Sequence, residues 1–340
     1  MEIFLCTESA LAVWRSPLGD MLRGQPPRRL RTLPADTITP PLSMLDALHA
    51  LCPGADPIDV LVGSPNTVRK TPGFRTHVWS RPLPDGAFIR VDDAISVASP
   101  NFCLLQLAAR MDPAEHIQVG FELCSTYSLL PYGTGFVTRD TPLTSRNSVL
   151  RYLDALPGAY GVKKARRNLR WLSDRAASPM ETRLALQLQL PTQLGGYRFP
   201  RAELNHRYEL SARARRETGT RYFKGDVCWP SLDMLMEYNS DAFHTGPDRI
   251  AADARRMNSL IDRKLTPFVV TKQQLLDVRE FDKVVRQLHR AAHRPYREPT
   301  APQWRAKYHL HRQLNRQLHP HGDDKHPDEG LNRASESGDK

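Results

Sequence analysis

Long apolar runs are missing from this chain of 340 residues. No window holds eighteen apolar residues in succession, so the sequence predicts no membrane-spanning helix. The opening stretch, MEIFLCTESALAVW, is apolar but lacks the basic start and the cleavage site of a signal peptide. We therefore expect it to form a strand and a helix of the mature fold, within a chain that is 40% hydrophobic.

Cysteine is scarce, and the patterns of several common site classes are missing. The five cysteines are Cys6, Cys52, Cys103, Cys124 and Cys228. Their number is odd and no pair has the spacing of a zinc or redox site, so we expect reduced, mostly buried thiols in a cytoplasmic protein. The sequence also shows no Ser-His-Asp order, no glycine-rich phosphate loop and no dinucleotide-binding fingerprint.

Acidic residues are rare in two stretches, and those stretches hold much of the net charge of +11. The first is a predicted helix with one acid, Asp174, and with the cations Lys163, Lys164, Arg166, Arg167, Arg170 and Arg175. The second, 283–319, holds nine Lys or Arg, five His and one acid. Such clustering is typical of proteins that bind polyanions, so DNA is the expected partner. A basic surface that only faces solvent remains the alternative.

The apolar patterning predicts a mixed, α+β fold. In the first half, short runs bounded by Pro, Gly and Asp predict a small, mostly antiparallel sheet, and helices are expected at 43–53, 99–111, 113–124 and 145–175. Ser99 followed by Pro100 is a helix-start signal. In the second half we expect helices at 178–190, 247–264 and 280–293, and strands at 204–210, 221–229, 232–239 and 265–271.

Three regions follow from this order of elements. Residues 1–175 are expected to form a first region and residues 176–298 a second domain. The regulatory or DNA-binding role expected of the first region is implied by a family resemblance of 59–126. Residues 299–340 are expected to be a basic and then charged tail, disordered from about position 323 because the composition there is polar and highly charged.

Two acidic residues stand at the ends of neighbouring apolar runs in the second domain. Asp226 and Glu237 are eleven positions apart, and a Trp-Pro-Ser turn lies between their strands. Two carboxylates held close together repel, and a hard cation such as Mg²⁺ relieves the repulsion while activating water against a phosphodiester. The alternative is that both acids cap their strands or pair with nearby Arg and Lys side chains.

The helix with Glu181, the three strands, the next helix and the last strand resemble the αβββαβ core of the PD-(D/E)XK nuclease superfamily. The stretch from Ser178 to His293 is similar to its branch of very-short-patch repair endonucleases. That branch has a Glu on the first helix, an Asp on the second strand and a Glu-x-Asp-Gly-x-x-x-His-like signature. The matching residues are Glu181, Asp226, Glu237, Asn239, Ser240 and His244, followed by Asp253, Arg255 and Arg256.

The resemblance implies a restriction-endonuclease-like fold that hydrolyses DNA. It places Mg²⁺ on Asp226, Glu237 and Asn239, and it gives Glu181 the task of orienting water or metal. It makes His244 a proton relay. Arg255 and Arg256 would stabilise charge on the phosphate and, with the basic helix, contact DNA. Homodimerisation, which many nucleases need for double-strand cuts, is left open.

Two departures favour a different function. Asn239 stands where the branch has Asp, and the Lys that the superfamily places two residues after the strand acid is missing. The rival hypothesis is therefore a regulator or antitoxin-like protein that has kept a nuclease fold and lost catalysis. Glu181 also has a simpler explanation, because Ser178-Pro-Met-Glu181 is a capping-box pattern.

The stretch 59–126 bears a second resemblance, to the middle region of AbiEi-type antitoxin and regulator proteins. The motifs are VLVGS, HVWSRPLPDGAFIRV and ISVASPNFCLLQLA. The resemblance implies a toxin as a protein partner. That family opens with a winged helix-turn-helix, and the residues before position 58 do not show one.

Overall fold

The computed structural model describes residues 2–132, 135–239 and 264–318. These residues form a mixed α+β protein with two larger sheets and a hairpin. The helix expected at 247–264, and with it His244, Arg255 and Arg256, lies outside the described residues. So do residues 319–340, which include the tail that was expected to be disordered.

The first sheet has the strand order β3-β2-β1-β5-β4. Its strands are β1 (Ile3–Leu5), β2 (Ile58–Val62), β3 (Phe74–Val78), β4 (Phe88–Arg90) and β5 (Ile95–Ala98). The prediction of a mostly antiparallel sheet is wrong, because β1 runs parallel to β5 and β2 runs parallel to β3. The N-terminal strand β1 inserts between β2 and β5, where it pairs antiparallel with β2 and parallel with β5. Residues 63–73 form a crossover that brings β3 back beside β2 in the same direction.

Within the described residues, seven α-helices accompany this sheet in the first half of the chain. They are α1 (Thr7–Arg15), α2 (Pro17–Leu22), α3 (Leu45–Leu51), α4 (Pro100–Leu107), α5 (Pro113–Leu123), α6 (Arg146–Asp154) and α7 (Val162–Leu169). Three of them, α4, α5 and α6, begin at a side-chain cap. Ser99 accepts a hydrogen bond from the Phe102 amide, which confirms the predicted start of α4. A hairpin of β6 (Tyr127–Leu129) and β7 (Phe136–Thr138) lies between α5 and α6.

The second sheet has the strand order β11-β10-β9-β8. Helix α8 (Pro179–Gln189) precedes β8 (Glu203–Glu209), and a short helix, α9 (Ala212–Thr218), connects β8 to β9 (Tyr222–Trp229). β10 (Met234–Asn239) and β11 (Thr266–Thr271) complete the sheet. β8, β9 and β10 pair antiparallel, whereas β10 and β11 are parallel. The four strands predicted for this half are therefore present.

Three helices close the described chain: α10 (Lys272–Leu276), α11 (Val278–Ala291) and α12 (Ala301–Leu318). Helix α12 packs against α5 and α8, and it buries Leu310 and Leu314. One hydrophobic cluster contains residues from both halves of the chain, from Trp14 through Leu184 to Leu314. The three regions expected from the sequence stay a prediction. All five cysteines are buried and unbridged, as expected.

Candidate metal centre

Asp226 and Glu237 lie opposite each other on the two central strands of the second sheet. Val227 pairs with Met236, so the next pair in this antiparallel register is Asp226 with Glu237. Each side chain bonds to the other strand's backbone: the Asp226 amide donates to Glu237 Oε1 at 3.1 Å, and the Tyr238 amide donates to Asp226 Oδ2 at 2.9 Å. These reciprocal bonds hold two carboxylates side by side on one sheet.

A glycine leaves room for this pair. A Cβ at Gly225 would lie 2.6 Å from Cys228 Sγ and 3.5 Å from Glu237 Oε1. The first distance is far below van der Waals contact, so a larger residue would displace the side chains around it. Gly225 thus leaves room for the Cys228 side chain, and a Cβ there would also contact the Glu237 carboxylate.

Asn205 extends the row of polar side chains to a third strand. Leu204 pairs with Val227 and His206 pairs with Gly225, so Asn205 lies opposite Asp226. Its φ of 53° is in the left-handed region, where Asn is enriched among non-glycine residues. Its side-chain amide donates to Glu181 Oε2 and, at 2.7 Å, to the Arg175 carbonyl. From the sequence, Asn205 is expected only to be part of a strand. Its role comes from the contact with Glu181 of α8, which the local sequence does not show.

Glu181 caps its helix and lies beside the acids as well. Its amide donates to Ser178 Oγ at 3.2 Å, and the Ser178 hydroxyl donates back to Oε1 at 2.9 Å. The Ala177 amide donates to Oε2 at 2.8 Å. Burial, and after it the charge of Asp226, raise the pKa of Glu181 to about 7, against the opposing effect of these hydrogen bonds. The two explanations for Glu181 in the sequence are therefore compatible.

The other predicted site residues divide into two groups. Asn239 ends β10, is half-buried and pairs with Thr271 of the parallel strand β11. It stands two residues after Glu237, so the strand's alternation places both on the same face of the sheet. His244, Arg255 and Arg256 lie outside the described residues, as do Ser240 and Asp253.

The donor set suits a hard cation. Asp226 and Glu237 offer carboxylate oxygens and Asn239 an amide oxygen, the ligand types that Mg²⁺ prefers. An ionised carboxylate has about four lone-pair positions, so it accepts a backbone hydrogen bond and ligates a metal at the same time. Within residues 2–132, 135–239 and 264–318, no group of three or more His, Cys, Asp or Glu side chains is arranged to hold a metal. The fit to Mg²⁺ therefore rests on two carboxylates and one amide.

Some basic side chains of α7 bond to other parts of the protein, and others are exposed to solvent. Lys164 Nζ donates to the Met111 carbonyl at 2.9 Å, and Arg166 bonds to the Leu153 carbonyl at 2.9 Å and to Asp154 at 3.0 Å. Lys163 and Arg167 are exposed, and they make no ion pair or hydrogen bond with the described residues. The guanidinium of Arg170, also exposed, lies 4.8 Å from the ring centre of Trp171.

The second basic stretch is less accessible than its sequence indicates. Arg286 pairs with Asp282 and Glu298, and the side chains of Lys307 and His289 are buried. His311 bonds to Arg183, which is buried in α8. Part of the charge of 283–319 is therefore paired or buried and is not available to a phosphate backbone. That the rest of the segment binds DNA stays a prediction.

The comparisons with known proteins add no evidence to the geometry of the site. No protein-family model, curated protein or solved structure matches this chain. In the part of the chain that the structure describes, no helix has the length and apolar character needed to cross a membrane.

Proposed function

We propose that the chain is a Mg²⁺-dependent DNA endonuclease-like protein that hydrolyses phosphodiester bonds. The observation that carries this proposal is the pairing of Asp226 with Glu237 on the central strands β9 and β10. The sheet around them, three antiparallel strands and a fourth parallel to β10, supports a restriction-endonuclease-like core. Helix α8 supports it too, because Glu181 is close enough for the charge of Asp226 to raise its pKa.

In this proposal Asp226 and Glu237 hold Mg²⁺, and Asn239 adds a neutral oxygen ligand. The bound cation supplies an activated water and neutralises charge on the phosphodiester. Glu181 orients water or metal from the start of α8. His244 relays a proton, and Arg255 and Arg256 stabilise the phosphate charge. The protein acts on DNA as a cytoplasmic enzyme, alone or as a homodimer.

A second candidate function is a catalytically inactive, nuclease-fold regulator of the antitoxin type, with DNA and a toxin as partners. Asn239 favours it, because an amide at the position of a carboxylate or lysine brings neither charge nor a base. The hydrogen bonds of Glu181 also favour it: both carboxylate oxygens bind groups of the helix start and Asn205. A Glu181 occupied in this way is explained by structure alone.

A cleavage assay separates the two functions. Supercoiled plasmid and a duplex with a mismatch are incubated with the purified chain in Mg²⁺, in Ca²⁺ and in EDTA. A nuclease nicks or linearises DNA in Mg²⁺ and leaves it intact in EDTA. Binding to DNA without cleavage under all three conditions would support the inactive regulator, and neither binding nor cleavage would contradict both candidates.

Replacing Asn239 by Asp is expected to tighten Mg²⁺ binding by about tenfold or more, because a charged oxygen ligand replaces a neutral one. Isothermal titration calorimetry with MgCl₂ measures the change. Asn66→Asp provides the matched control, because it makes the same chemical change at an exposed position after β2 of the first sheet. Equal Mg²⁺ affinity in wild type and Asn239→Asp would show that position 239 does not face the metal.

DNA affinity is expected to depend less steeply on salt when Lys163 and Arg167 are both replaced by Ala. Each phosphate contact contributes about 0.9 to the slope of log affinity against log salt, so the slope falls by up to about 1.8. Fluorescence anisotropy with a labelled duplex at several NaCl concentrations measures it. Lys164→Ala with Arg166→Ala removes the same charge from residues that bind carbonyls, and a smaller change is expected. Identical slopes in the wild type and both double variants would show that α7 does not contact DNA.

A further inference from the structure

A cavity of about 550 Å³ lies against the first sheet, and none of its lining residues belongs to the second sheet. His77 of β3 lines it, as do Arg110, which follows α4, and the rings of Trp79 and Tyr160. His77 and Arg110 bring polar nitrogen atoms, whereas Leu61 and the two rings bring apolar surface. A few polar groups on an apolar, concave surface are typical of small-molecule sites.

A buried carboxylate holds the His77 ring from the side of the sheet. Asp59 on β2 is 0% exposed, and its Oδ1 lies 2.7 Å from His77 Nε2. Arg75 Nε and Nη2 donate to the same carboxylate at 2.6 and 2.8 Å. The three side chains share one face of the sheet, because Asp59 pairs with Arg75, and Leu61 with His77, in the parallel register of β2 and β3.

The charge of Asp59 determines which ring nitrogen of His77 carries the hydrogen. Burial acts to raise the pKa of Asp59, but the hydrogen bonds from Arg75 and His77 outweigh it and hold that pKa below its usual value. An ionised carboxylate only accepts hydrogen bonds, so Nε2 is the donor, and Nδ1 of the neutral ring has the lone pair. Nδ1 makes no hydrogen bond with the described residues and keeps accessible surface. His77 thus offers an acceptor at the cavity wall.

Arg110 has the opposite hydrogen-bonding character. Its Nε donates to Glu8 at 3.3 Å, and its two terminal nitrogens make no hydrogen bond with the described residues. Arg75 shares Glu8 through Nη2 at 3.1 Å. The two guanidinium groups balance the charges of Glu8 and Asp59, so the cluster does not repel an anion. Arg110 therefore keeps two donor nitrogens for an acidic group.

The rest of the wall is aromatic or has its polar atoms buried. Thr7 Oγ1 and Gln106 Nε2 are buried, so neither group serves a ligand. The ring of Trp79 is fixed edge-on against the buried Phe102, with centroids 5.0 Å apart. Tyr160 is 79% exposed, so its ring is available to a bound molecule. A ligand thus meets one acceptor, one guanidinium group and aromatic surface.

We propose that this cavity binds a small acid that also carries a hydroxyl group, with the acid on Arg110 and the hydroxyl donating to His77 Nδ1. An acid without a donor leaves the lone pair of His77 unused, and a neutral alcohol leaves Arg110 without an anion. The body of the ligand is flat or apolar, because Trp79 and Tyr160 form the rest of its contacts. This site is separate from the proposed metal centre and does not depend on nuclease activity.

The test uses aromatic acids as probes, in EDTA so that metal plays no part. They are meta- and para-hydroxybenzoate, the two corresponding methoxybenzoates, and para-hydroxybenzamide. Isothermal titration calorimetry measures the affinities. The methoxybenzoates are expected to bind about fivefold more weakly than the hydroxybenzoates, because one hydrogen bond is lost. The benzamide, which has no charge for Arg110, is expected to bind about tenfold more weakly.

Two variants assign the two contacts. His77→Phe keeps a flat ring without an acceptor, and Asp59 keeps both of its bonds to Arg75, so the difference between hydroxy and methoxy acids is expected to disappear. Arg110→Gln changes an exposed residue, and it is expected to weaken all the acids about tenfold. His309→Phe makes the matched change at an exposed position of α12, and no effect is expected.

NMR signals of the His77 ring, assigned by their absence from His77→Phe, locate the bound acid. A shift of these signals on addition of hydroxybenzoate is expected. Binding that leaves them unchanged places the acid elsewhere and overturns the proposal. So does equal affinity of the wild type for hydroxy and methoxy acids, binding of no acid, or hydroxybenzoate affinity that is unchanged in both His77→Phe and Arg110→Gln.

Discussion

Asp226→Asn and Glu237→Gln are each expected to reduce Mg²⁺-dependent cleavage of plasmid DNA by a factor of about 1,000 or more. A metal's stabilisation of the transition state is worth several kcal/mol, and each 1.4 kcal/mol or so is a factor of ten in rate. Both variants keep an oxygen that accepts the backbone hydrogen bond found in the wild type. The loss of activity is thus expected without a loss of fold.

Stability should even rise slightly in Asp226→Asn. The substitution removes one of two facing carboxylates, and it also removes the charge that raises the pKa of Glu181. Urea unfolding at neutral pH therefore serves as the check on folding. A variant that is inactive and at least as stable as the wild type has lost a functional carboxylate, since a damaged fold would unfold at lower urea.

The turn between β9 and β10 offers a matched control. Asp233 is exposed, has a φ of 51° and lies at the other end of the same hairpin. Asp233→Asn makes the same chemical change where Asn tolerates the left-handed conformation, and full cleavage activity is expected. Cleavage that survives in Asp226→Asn would contradict the proposed metal site, and the two acids would then have only a structural role.

The opposition of the two acids could be predicted from the sequence because it depends on a short hairpin. Trp229 pairs with Met234 across the turn, and Asp226 and Glu237 are each three residues further along their strands. Equal offsets from a turn bring residues face to face in any antiparallel pair. The apolar residues on both sides identify the strands, so local information is sufficient at this point.

Other parts of the site and fold depend on contacts between distant segments. Asn205 reaches Glu181 only because β8 pairs with β9 and α8 packs beside them. The place of β1 in the middle of the first sheet follows from its pairing with β2 and β5, which are far away in sequence. Neither periodicity nor turn chemistry near Asn205 or β1 contains this information.

Which face of the C-terminal helix α12 is buried could not be predicted from its sequence pattern. Lys307, Leu310, His311 and Leu314 recur at helical spacing and share one face of α12. The sequence predicts a basic tail from position 299 and no helix here, because Lys and His are usually exposed. Leu310 and Leu314 are buried, however, and the same face carries Lys307 and His311 inward. The orientation of α12 is set by its packing against α5 and α8, which the local sequence does not reveal.

Lys307→Met is expected to make the protein more stable at pH 7 and to remove part of its pH dependence between pH 7 and 8.5. Lys307 is 4% exposed, and burial lowers its pKa from 10.5 to about 7, although Asp282 acts in the opposite direction. Nζ donates to the Gly196 carbonyl at 3.2 Å and lies 3.0 Å from the ring centre of Tyr197. These contacts favour the ammonium form without offsetting the loss of solvation.

The sign of the pH effect follows from proton binding. Between about pH 7 and 10.5 the unfolded chain holds a proton on this amine that the folded chain has released, so stability rises with pH. One group contributes at most about 1.4 kcal/mol per pH unit, or about 2 kcal/mol between pH 7 and 8.5. Methionine has a similar length and no charge, so the variant lacks this contribution and avoids the penalty at pH 7.

Urea unfolding of wild type, Lys307→Met and Lys283→Met at pH 7 and 8.5 measures the effect. Lys283 is exposed on α11 and pairs with Glu280, so its replacement removes the same charge without changing a buried amine. Titration of the buried cysteines is common to all three proteins and cancels in the differences. If Lys307→Met gains as much stability with pH as the wild type, Lys307 stays charged in the fold, and its contacts with Tyr197 and Asp282 outweigh its burial.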